Sequence, residues 1–316
     1  MTVLACDFGG RRIKVGMVRD ERVVACEVLP ARSELPLADR LPGIVDTLRS
    51  LCRSQGIEPR DCAGLVIAYP SIVDVKHARI LDQFGKFGDA TKLDLRAWAR
   101  DELQLPLCLE NDARLALIGE WQCGAVRGVA NAVMITLGTG LGSAAVIDGA
   151  PLRGTHGQAG ILGGHFTVNV HGRKCVCGNV GCAEAEASTS ILADVVRSLP
   201  GYAASSLAKI ESIGYDDVFR LAAEGDSVAV RIRDHSLKVW GTMAVNLIHA
   251  YDPEIVVLGG GVMASRDVIL PAVADYVRRS AHISWGHVNV VASQLGDQVA
   301  LMGAPWCIQE RSSYGV

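Results

Sequence analysis

The architecture of this chain can be read from one segment, Ala132-Val133-Met134-Ile135-Thr136-Leu137-Gly138-Thr139-Gly140-Leu141-Gly142. An apolar run precedes the glycines and a second one, residues 143–147, follows them, which is typical of two strands joined by a tight hairpin. Residues 3–19 repeat this order around Asp7-Phe8-Gly9-Gly10. The chain therefore contains two units of strand, glycine turn and strand, and we expect two similarly folded lobes.

Strand and helix signals alternate along the rest of the chain, and this mixed order indicates the α/β class. Further strands are predicted at 22–28, 65–68, 107–109, 255–258 and 288–291. Apolar positions at helical spacing predict helices at 38–54, 93–103, 113–121, 184–198, 226–250, 266–281 and from about residue 298 onward. We expect one lobe at residues 1–112, to which about 299–316 return, and a larger lobe at 113–298.

The composition of the 316 residues argues against several classes of protein. Lys and Arg number 31, Asp and Glu 34, no basic block occurs and aromatic residues make up 5%, so we expect no nucleic-acid partner. No apolar run reaches the roughly 18–20 residues of a membrane helix, and no basic leader precedes an apolar segment at the start. Several of the ten cysteines lie in apolar segments, as free thiols do. We therefore expect a cytoplasmic protein without a membrane partner.

Both glycine-rich turns allow two interpretations. Their backbone N–H groups can approach a phosphate closely, and the glycines concerned are Gly9, Gly10, Gly138 and Gly140. In the first turn Asp7 can hold Mg²⁺ through water, and in the second Thr139 can add a hydroxyl donor. Each turn alone is equally consistent with an ordinary hairpin, and the second is neither a P-loop nor a dinucleotide fingerprint because a strand follows it. Two such turns at equivalent places favour phosphate binding.

Two further motifs lie where a predicted strand ends. Gly259, Gly260 and Gly261 leave room for a flat ligand or a ribose, although close packing of the strand on a helix would also explain them. Glu110-Asn111-Asp112 lies between a strand and a helix. Asp112 is either a general base for phosphoryl transfer or a carboxylate that matches the helix dipole behind an Asn N-cap.

The most specific motif is Cys175-Val176-Cys177-Gly178-Asn179-Val180-Gly181-Cys182, which follows His165 by ten residues. Three thiolates and one imidazole fill the four positions of a tetrahedral zinc site and leave no place for water. The two glycines allow the chain to turn back, so that the last cysteine closes the site. Three incidental free cysteines are the alternative, but the spacing favours a structural zinc ion on His165, Cys175, Cys177 and Cys182.

In this order the motifs resemble the ROK proteins (repressor, open reading frame, kinase), which include bacterial sugar kinases and sugar-responsive repressors. The resemblance covers nearly the whole chain, from Asp7-Phe8-Gly9-Gly10 to Val257-Leu258-Gly259-Gly260-Gly261. It implies an actin-like ATPase (hexokinase-like) fold of two lobes, ATP with Mg²⁺ held by both hairpins and the Gly259–Gly261 loop, and a protein that is often a homodimer. It also implies Asp112 as general base, with sugar contacts from Asn111, His165 and Glu184.

The sequence departs from the family pattern at two places. Arg11 stands where a Thr or Ser usually follows the glycine pair. The carboxylate that usually lies three residues before the zinc histidine is replaced by the apolar pair Ile161-Leu162. A missing carboxylate removes hydrogen bonds to sugar hydroxyls, and such bonds decide specificity strongly. The departures therefore argue against an ordinary glucose site.

Three functions compete on this basis. The first is an ATP-dependent kinase that phosphorylates a hydroxyl of a hexose or modified hexose. The second is a catalytically weak sugar-binding or regulatory protein of the same fold, which Arg11 and Leu162 motivate. The third is a DNA-binding repressor, which we do not favour because family repressors carry a helix-turn-helix domain before the first hairpin, and here that hairpin begins at residue 3.

Overall fold

A computed structural model describes residues 1–82 and 84–313, and these residues form two compact units. Unit 1 comprises residues 1–128, 151–159 and the described residues from Gln294 onward. Unit 2 comprises residues 129–150 and 160–293. The segment of about 299–316 was expected to return to the first lobe, and its last three residues, 314–316, lie outside the described part of the chain.

Unit 1 is built on a five-stranded sheet whose order is β3-β2-β1-β4-β7. Its strands are β1 Thr2–Phe8, β2 Arg12–Arg19, β3 Arg22–Pro30, β4 Leu65–Tyr69 and β7 Leu107–Asn111, and a separate pair is β5 Val73–Asp74 with β6 Arg79–Ile80. Its helices are α1 Leu41–Ser54, α2 Leu95–Leu103, α3 Asp112–Cys123 and α9 Val299–Ser313. Strand β1 is antiparallel to β2 and parallel to β4, which is parallel to β7.

Alternation along β1 directs its side chains into two cores, one on each face of the sheet. Leu4, Cys6 and Phe8 belong to the core that also contains residues of α1 and α2. Val3 and Ala5 belong to the core formed with α3 and α9. Asp7 continues this second row, so a carboxylate stands where the row of apolar side chains reaches the carboxyl end of the strand.

Unit 2 repeats the arrangement with a sheet of order β10-β9-β8-β11-β12. Its strands are β8 Ala132–Leu137, β9 Leu141–Ile147, β10 Ala150–Pro151, β11 Ile255–Gly259 and β12 Asn289–Ala292. Its helices are α4 Ala183–Ala187, α5 Thr189–Arg197, α6 Tyr215–Ala223, α7 Ser227–Tyr251 and α8 Arg266–Ser280. As in unit 1, the hairpin strands β8 and β9 are antiparallel, and β11 is parallel to both β8 and β12. The predicted α/β class and the repeated unit are therefore confirmed.

The structure differs from the expected elements in unit 2. The helix predicted at 184–198 is two helices, because Ser188 between α4 and α5 has an extended backbone. Helix α6 was not predicted, although Asp217 in its first turn accepts a hydrogen bond from the N–H of Gly214, as a helix start requires. None of the described helices combines the length and the apolar character needed to cross a membrane.

Helices α3 and α9 of unit 1 pack with their backbones in contact. A Cβ on Gly119 of α3 would collide with the carbonyl oxygen of Val299, and one on Gly303 of α9 would collide with the carbonyl oxygen of Leu115. The predicted lobe boundary near residue 112 stays a prediction. The compact unit that contains both helices continues to Gly128.

Candidate functional site

The carboxyl ends of the parallel strands β1, β4 and β7 lie at one edge of the sheet in unit 1. Asp7 is paired in register with Ala68, which is paired with Glu110. Tyr69 is paired with Asn111 at the last position of β7. In the sequence, Asp7 is separated from Asn111 and Asp112 by about a hundred residues. In the fold these residues are neighbours at this edge, where ligands bind in open α/β sheets.

Asp112 is held in one orientation at the junction of β7 and α3. Asn111 is the N-cap, and its side-chain oxygen accepts a hydrogen bond from the N–H of Arg114 at 3.0 Å. Its side-chain amide donates to Oδ1 of Asp112 at 3.0 Å and to the carbonyl oxygen of Ser71 at 3.2 Å. The N–H of Ala113 donates to the same Oδ1 at 2.8 Å. One oxygen of the Asp112 carboxylate is therefore fixed by two donors.

Burial raises the pKa of Asp112 to about 6, which is closer to neutral pH than the pKa of an ordinary aspartate. The positive charge of Lys86 opposes this rise in pKa, and the negative charge of Asp7 adds to it. A general base is most effective when its pKa lies near the operating pH, since it is then both ionised and basic. The two interpretations of Asp112 are compatible, because its place behind the N-cap is also what orients it.

The first glycine turn carries an ion pair that sequence reasoning missed. Asp7 lies directly opposite Lys14 across β1 and β2, and Nζ of Lys14 lies 3.2 Å from Oδ2 of Asp7 and 3.8 Å from Oδ1 of Asp297. Burial raises the pKa of Asp7 although Lys14 acts in the opposite direction. The N–H of Gly9 donates to the carbonyl oxygen of Arg12 at 2.9 Å, which closes the turn. The cross-strand register of the predicted hairpin could have identified Lys14.

A buried network of charges lies behind Asp112. Glu110 and Arg114 are fully buried and paired at 2.6 Å, and Nε of Arg153 donates to the other oxygen of Glu110 at 2.9 Å. Arg153 also forms two parallel hydrogen bonds to the carboxylate of Glu310, at 2.8 and 2.9 Å. Burial acts to raise the pKa of Glu110, but the two guanidinium groups hold it below the usual value. The full network was not predicted, since Arg153 is far from Glu110 in sequence and Glu310 is farther still.

Arg114 uses its remaining donors to hold a separate segment of unit 1. Nε donates to the carbonyl oxygen of Leu152 at 3.0 Å, and Nη2 donates to those of Gly157 and Ala159 at 2.9 and 3.0 Å. A buried guanidinium is stable only when its donors are paired, and here both ends of the segment 151–159 provide acceptors. Arg114 therefore joins the start of α3 to this segment.

In unit 2 the second glycine turn is bound by the helices that follow the cysteine cluster. The carbonyl oxygens of Gly138 and Thr139 accept hydrogen bonds from the N–H groups of Thr189 and Ser190, at 3.0 and 3.1 Å. These donors are in the first turn of α5, where helical N–H groups have no partner within the helix. The predicted sugar contact Glu184 also reaches this turn.

The glycines at the end of β11 lie beside the end of β8. Gly259 is paired in register with Thr136. Gly260 has a φ of +93°, and a Cβ there would collide with the backbone of Leu137. Glycine is required at this position for both reasons. The Gly259–Gly261 loop therefore lies close to the second glycine turn, which contains Gly138, Thr139 and Gly140. This is expected if the loop and the turn bind one nucleotide.

The four predicted metal ligands converge in unit 2. Their ligand atoms lie within 4.8 Å of one another. Nδ1 of His165 lies 3.5 Å from Sγ of Cys175, and Sγ of Cys177 lies 3.7 Å from Sγ of Cys182. Zinc bond lengths of about 2.3 Å to sulfur and 2.0–2.1 Å to nitrogen place tetrahedral ligands about 3.6–3.8 Å apart. The donor set and both distances therefore fit a zinc ion.

The backbone of the cysteine loop is a tight turn of the kind the glycines predicted. The N–H of Cys175 donates to the carbonyl oxygen of Asn179 at 2.8 Å, and the N–H of Gly178 donates to that of Cys175 at 3.0 Å. Gly178 and Gly181 have φ values of +91° and +69°. A Cβ on Gly181 would also collide with the carbonyl group of Asn169.

The two departures from the family pattern occupy different environments. Arg11 is exposed, and Leu162 is half-buried just before the short helical turn Gly163–His165. The chain here is bound to β9 by Ser143, whose hydroxyl donates to the carbonyl oxygen of Gly160 at 2.6 Å and accepts from the N–H of Gly163 at 2.8 Å. These hydrogen bonds hold the backbone on both sides of Leu162, and the side chain at this position is apolar.

Comparisons with known proteins identify the family of this chain. The family model described as ROK family matches residues 3–311. A glucokinase from Thermotoga maritima is 30% identical over 98% of this chain and 98% of its own length. A xylose repressor from Bacillus subtilis is 23% identical over 82% of this chain, which spans 64% of that repressor. A solved ROK family glucokinase from Streptomyces griseus, in complex with glucose and AMPPNP, is 29% identical, with a TM-score of 0.80 over 98% of this chain and 100% of that one. This chain belongs to the ROK family.

Proposed function

We propose that this protein is an ATP-dependent sugar kinase that transfers the γ-phosphoryl group to a hydroxyl of a hexose or a modified hexose. The observation that carries the proposal is Asp112, a half-buried carboxylate with a pKa of about 6 that two donors hold at a strand end. The glucokinases among the relatives support the same reaction class.

Asp112 acts in this proposal as the general base. Because a sugar hydroxyl is a weak nucleophile, the reaction gains from a carboxylate that accepts its proton as the bond to phosphorus forms. Oδ1 already accepts two hydrogen bonds, which leaves Oδ2 as the oxygen to take the proton. Asn111 positions Asp112, and its side-chain oxygen, which accepts one hydrogen bond from Arg114, has a second lone pair for the same sugar.

The glycine turns would bind the nucleotide. Backbone N–H groups at Gly10 and Gly140, with the hydroxyl of Thr139, suit phosphate oxygens, while those of Gly9 and Gly138 close their turns. The Gly259–Gly261 loop suits the rest of the nucleotide. ATP brings Mg²⁺, which neutralises charge on the phosphates, and Asp7 is the carboxylate that would hold it. The ammonium group of Lys14 also lies beside the Asp7 carboxylate.

The metal centre would have a structural role. His165, Cys175, Cys177 and Cys182 would hold a zinc ion, which supplies cross-linking of the loop and no chemistry, because all four positions are taken by protein. The loop would place Nε2 of His165 and the carboxylate of Glu184 for contacts to the sugar. Homodimer formation and a cytoplasmic location stay predictions.

A coupled assay of ADP release against a panel of hexoses, N-acetylhexosamines and their epimers tests the proposal. We expect turnover with at least one sugar, loss of turnover in Asp112→Ala, and wild-type turnover in the surface control Glu224→Ala. Parallel assays with polyphosphate identify the phosphate donor. Unchanged turnover in Asp112→Ala on the best substrate would remove Asp112 as the base.

A second candidate is a sugar-binding protein of the same fold with weak catalysis. Leu162 favours it, because an apolar side chain stands where the family usually has a carboxylate beside the sugar. Calorimetry separates the two candidates. Tight sugar binding without turnover in the presence of ATP and Mg²⁺ would support the second.

A further inference from the structure

Glu186 is a buried carboxylate beside the cysteine loop, and the proposed function does not use it. It lies in α4, four residues after Cys182, and is only 4% exposed. A carboxylate that leaves water is costly unless donors reach its oxygens. Its Oε1 accepts a hydrogen bond from the N–H of Arg173 at 2.8 Å, and Nε2 of His235 on α7 lies 3.5 Å from its Oε2. Each oxygen of this buried group therefore has a polar neighbour within unit 2.

Arg173 lies at the base of the cysteine loop, where the chain enters the turn that carries the predicted metal ligands. Its N–H is the group that Glu186 binds, and its carbonyl oxygen accepts a hydrogen bond from the N–H of Gly181 at 2.8 Å. Arg173 precedes Cys175 by two residues, and Gly181 directly precedes Cys182. One carboxylate therefore holds both arms of the loop, the first directly and the second through the backbone of Arg173.

A glycine gives this carboxylate its place. A Cβ on Gly172 would collide with Oε1 of Glu186 and with the backbone of Gly181. Glu184 of the same helix binds a different segment, since its Oε2 accepts a hydrogen bond from the N–H of Leu141 at 2.9 Å. Residues two apart on a helix do not face each other. Helix α4 thus holds two separate loops with two carboxylates, and only one of them belongs to the cysteine loop.

We propose that Glu186 is a positioning residue for the metal ligands: by holding the base of the cysteine loop, it makes the loop bind zinc tightly and release it slowly. The inference rests on the metal centre of the proposed function and is independent of the sugar and of the phosphate donor. A loop that is already ordered loses less conformational entropy when it binds. Groups that orient metal ligands from outside typically contribute about 10- to 100-fold to metal affinity.

The experiment follows the transfer of zinc from the purified protein to the chromophoric chelator 4-(2-pyridylazo)resorcinol. We expect Glu186→Ala to release zinc about 10- to 100-fold faster than the wild type. Glu186→Gln keeps an oxygen acceptor at the same reach and should release zinc close to the wild-type rate. Glu186→Asp keeps the charge but is one methylene shorter, so it should release zinc faster than Glu186→Gln. A role of the charge alone would give the opposite order of these two variants.

Two controls distinguish positioning from a general loss of stability. Val218→Ala removes buried methyl groups from α6 and should lower the urea midpoint without faster zinc release. The exposed control Glu224→Ala should change neither quantity. Amide hydrogen exchange reports on the contact itself, because the N–H of Arg173 should exchange faster in Glu186→Asp than in the wild type.

Each outcome decides between the inference and the metal centre. Wild-type release rates in both Glu186→Ala and Glu186→Asp would overturn the inference and leave the metal centre intact. Wild-type protein that contains no zinc after purification without chelator would overturn the metal centre and the inference together. If Glu186→Ala does not fold, the comparison of Glu186→Gln with Glu186→Asp decides, and equal release rates in these two variants would overturn the role of Glu186.

Discussion

Replacement of Asp112 by asparagine should abolish phosphoryl transfer and at the same time make the protein more stable at neutral and alkaline pH. The side chains have nearly the same shape, and the asparagine oxygen can still accept from the N–H of Ala113. What is lost is the charge that burial disfavours. The variant therefore separates the catalytic role of the carboxylate from its cost to stability.

The magnitude follows from the pKa. Burial raises the pKa of Asp112 from 3.8 to about 6, and each unit corresponds to about 1.4 kcal/mol. The folded state thus holds this proton more tightly than the unfolded state does, so stability falls as the pH rises from about 4 to about 7. The loss of stability over the whole titration of Asp112 is about 3 kcal/mol as an upper bound, and roughly half of this loss occurs between pH 5 and pH 8.

Urea unfolding of both proteins at pH 5 and pH 8 measures this difference. We expect Asp112→Asn to be more stable relative to the wild type at pH 8 than at pH 5, with a free energy of unfolding about 1 kcal/mol higher, and kcat to fall by about 100-fold or more. Asp226→Asn is a control without pH dependence over this range: hydrogen bonds at the start of α7 lower the pKa of Asp226 despite its partial burial, so its carboxylate stabilises the fold equally at pH 5 and pH 8. The same relative stability of Asp112→Asn at both pH values would refute the argument from burial.

Three further perturbations test other parts of the molecule. Cys177→Ser should lower the zinc content measured by atomic absorption and weaken sugar binding more than ADP binding in calorimetry; equal loss of both would indicate general unfolding. Arg114→Met should destabilise the protein by about 3–5 kcal/mol in urea, because it leaves the buried charge of Glu110 with one guanidinium partner fewer; a loss below 1 kcal/mol would contradict the network. Gly260→Ala should weaken ADP binding at least tenfold, because its φ is positive and a Cβ would collide with Leu137; unchanged affinity would show that the turn adapts.

Features set by short-range spacing could be predicted from the sequence. Apolar runs around paired glycines predicted both hairpins, and the structure has them at β1–β2 and β8–β9. Asn111 before a helix predicted the N-cap, because this geometry depends on three adjacent residues. The cysteine spacing predicted the cluster for the same reason, since the loop is short enough that its turn brings the ligands together.

Contacts between distant residues required the tertiary structure. Glu110 is adjacent in sequence to Asn111, but its second cation, Arg153, is 43 residues away and Glu310 is 157 residues beyond that arginine. No local pattern marks such partners, since a buried charge is recognisable only when its surroundings exclude water. The raised pKa of Asp112 has the same origin, because it depends on burial and on the nearby charges of Lys86 and Asp7.

The sequence by itself determined the α/β class, the repeated hairpins, the His/Cys cluster and the identity of the candidate base, because each follows from residue types at fixed short spacings. The tertiary structure alone decided how those groups act. It set the protonation of Asp112 through burial, paired Asp7 with Lys14 across two strands, and joined Glu184 to the glycine turn. Distance and solvent exclusion govern electrostatics and hydrogen bonding, and both quantities exist only once the chain has folded.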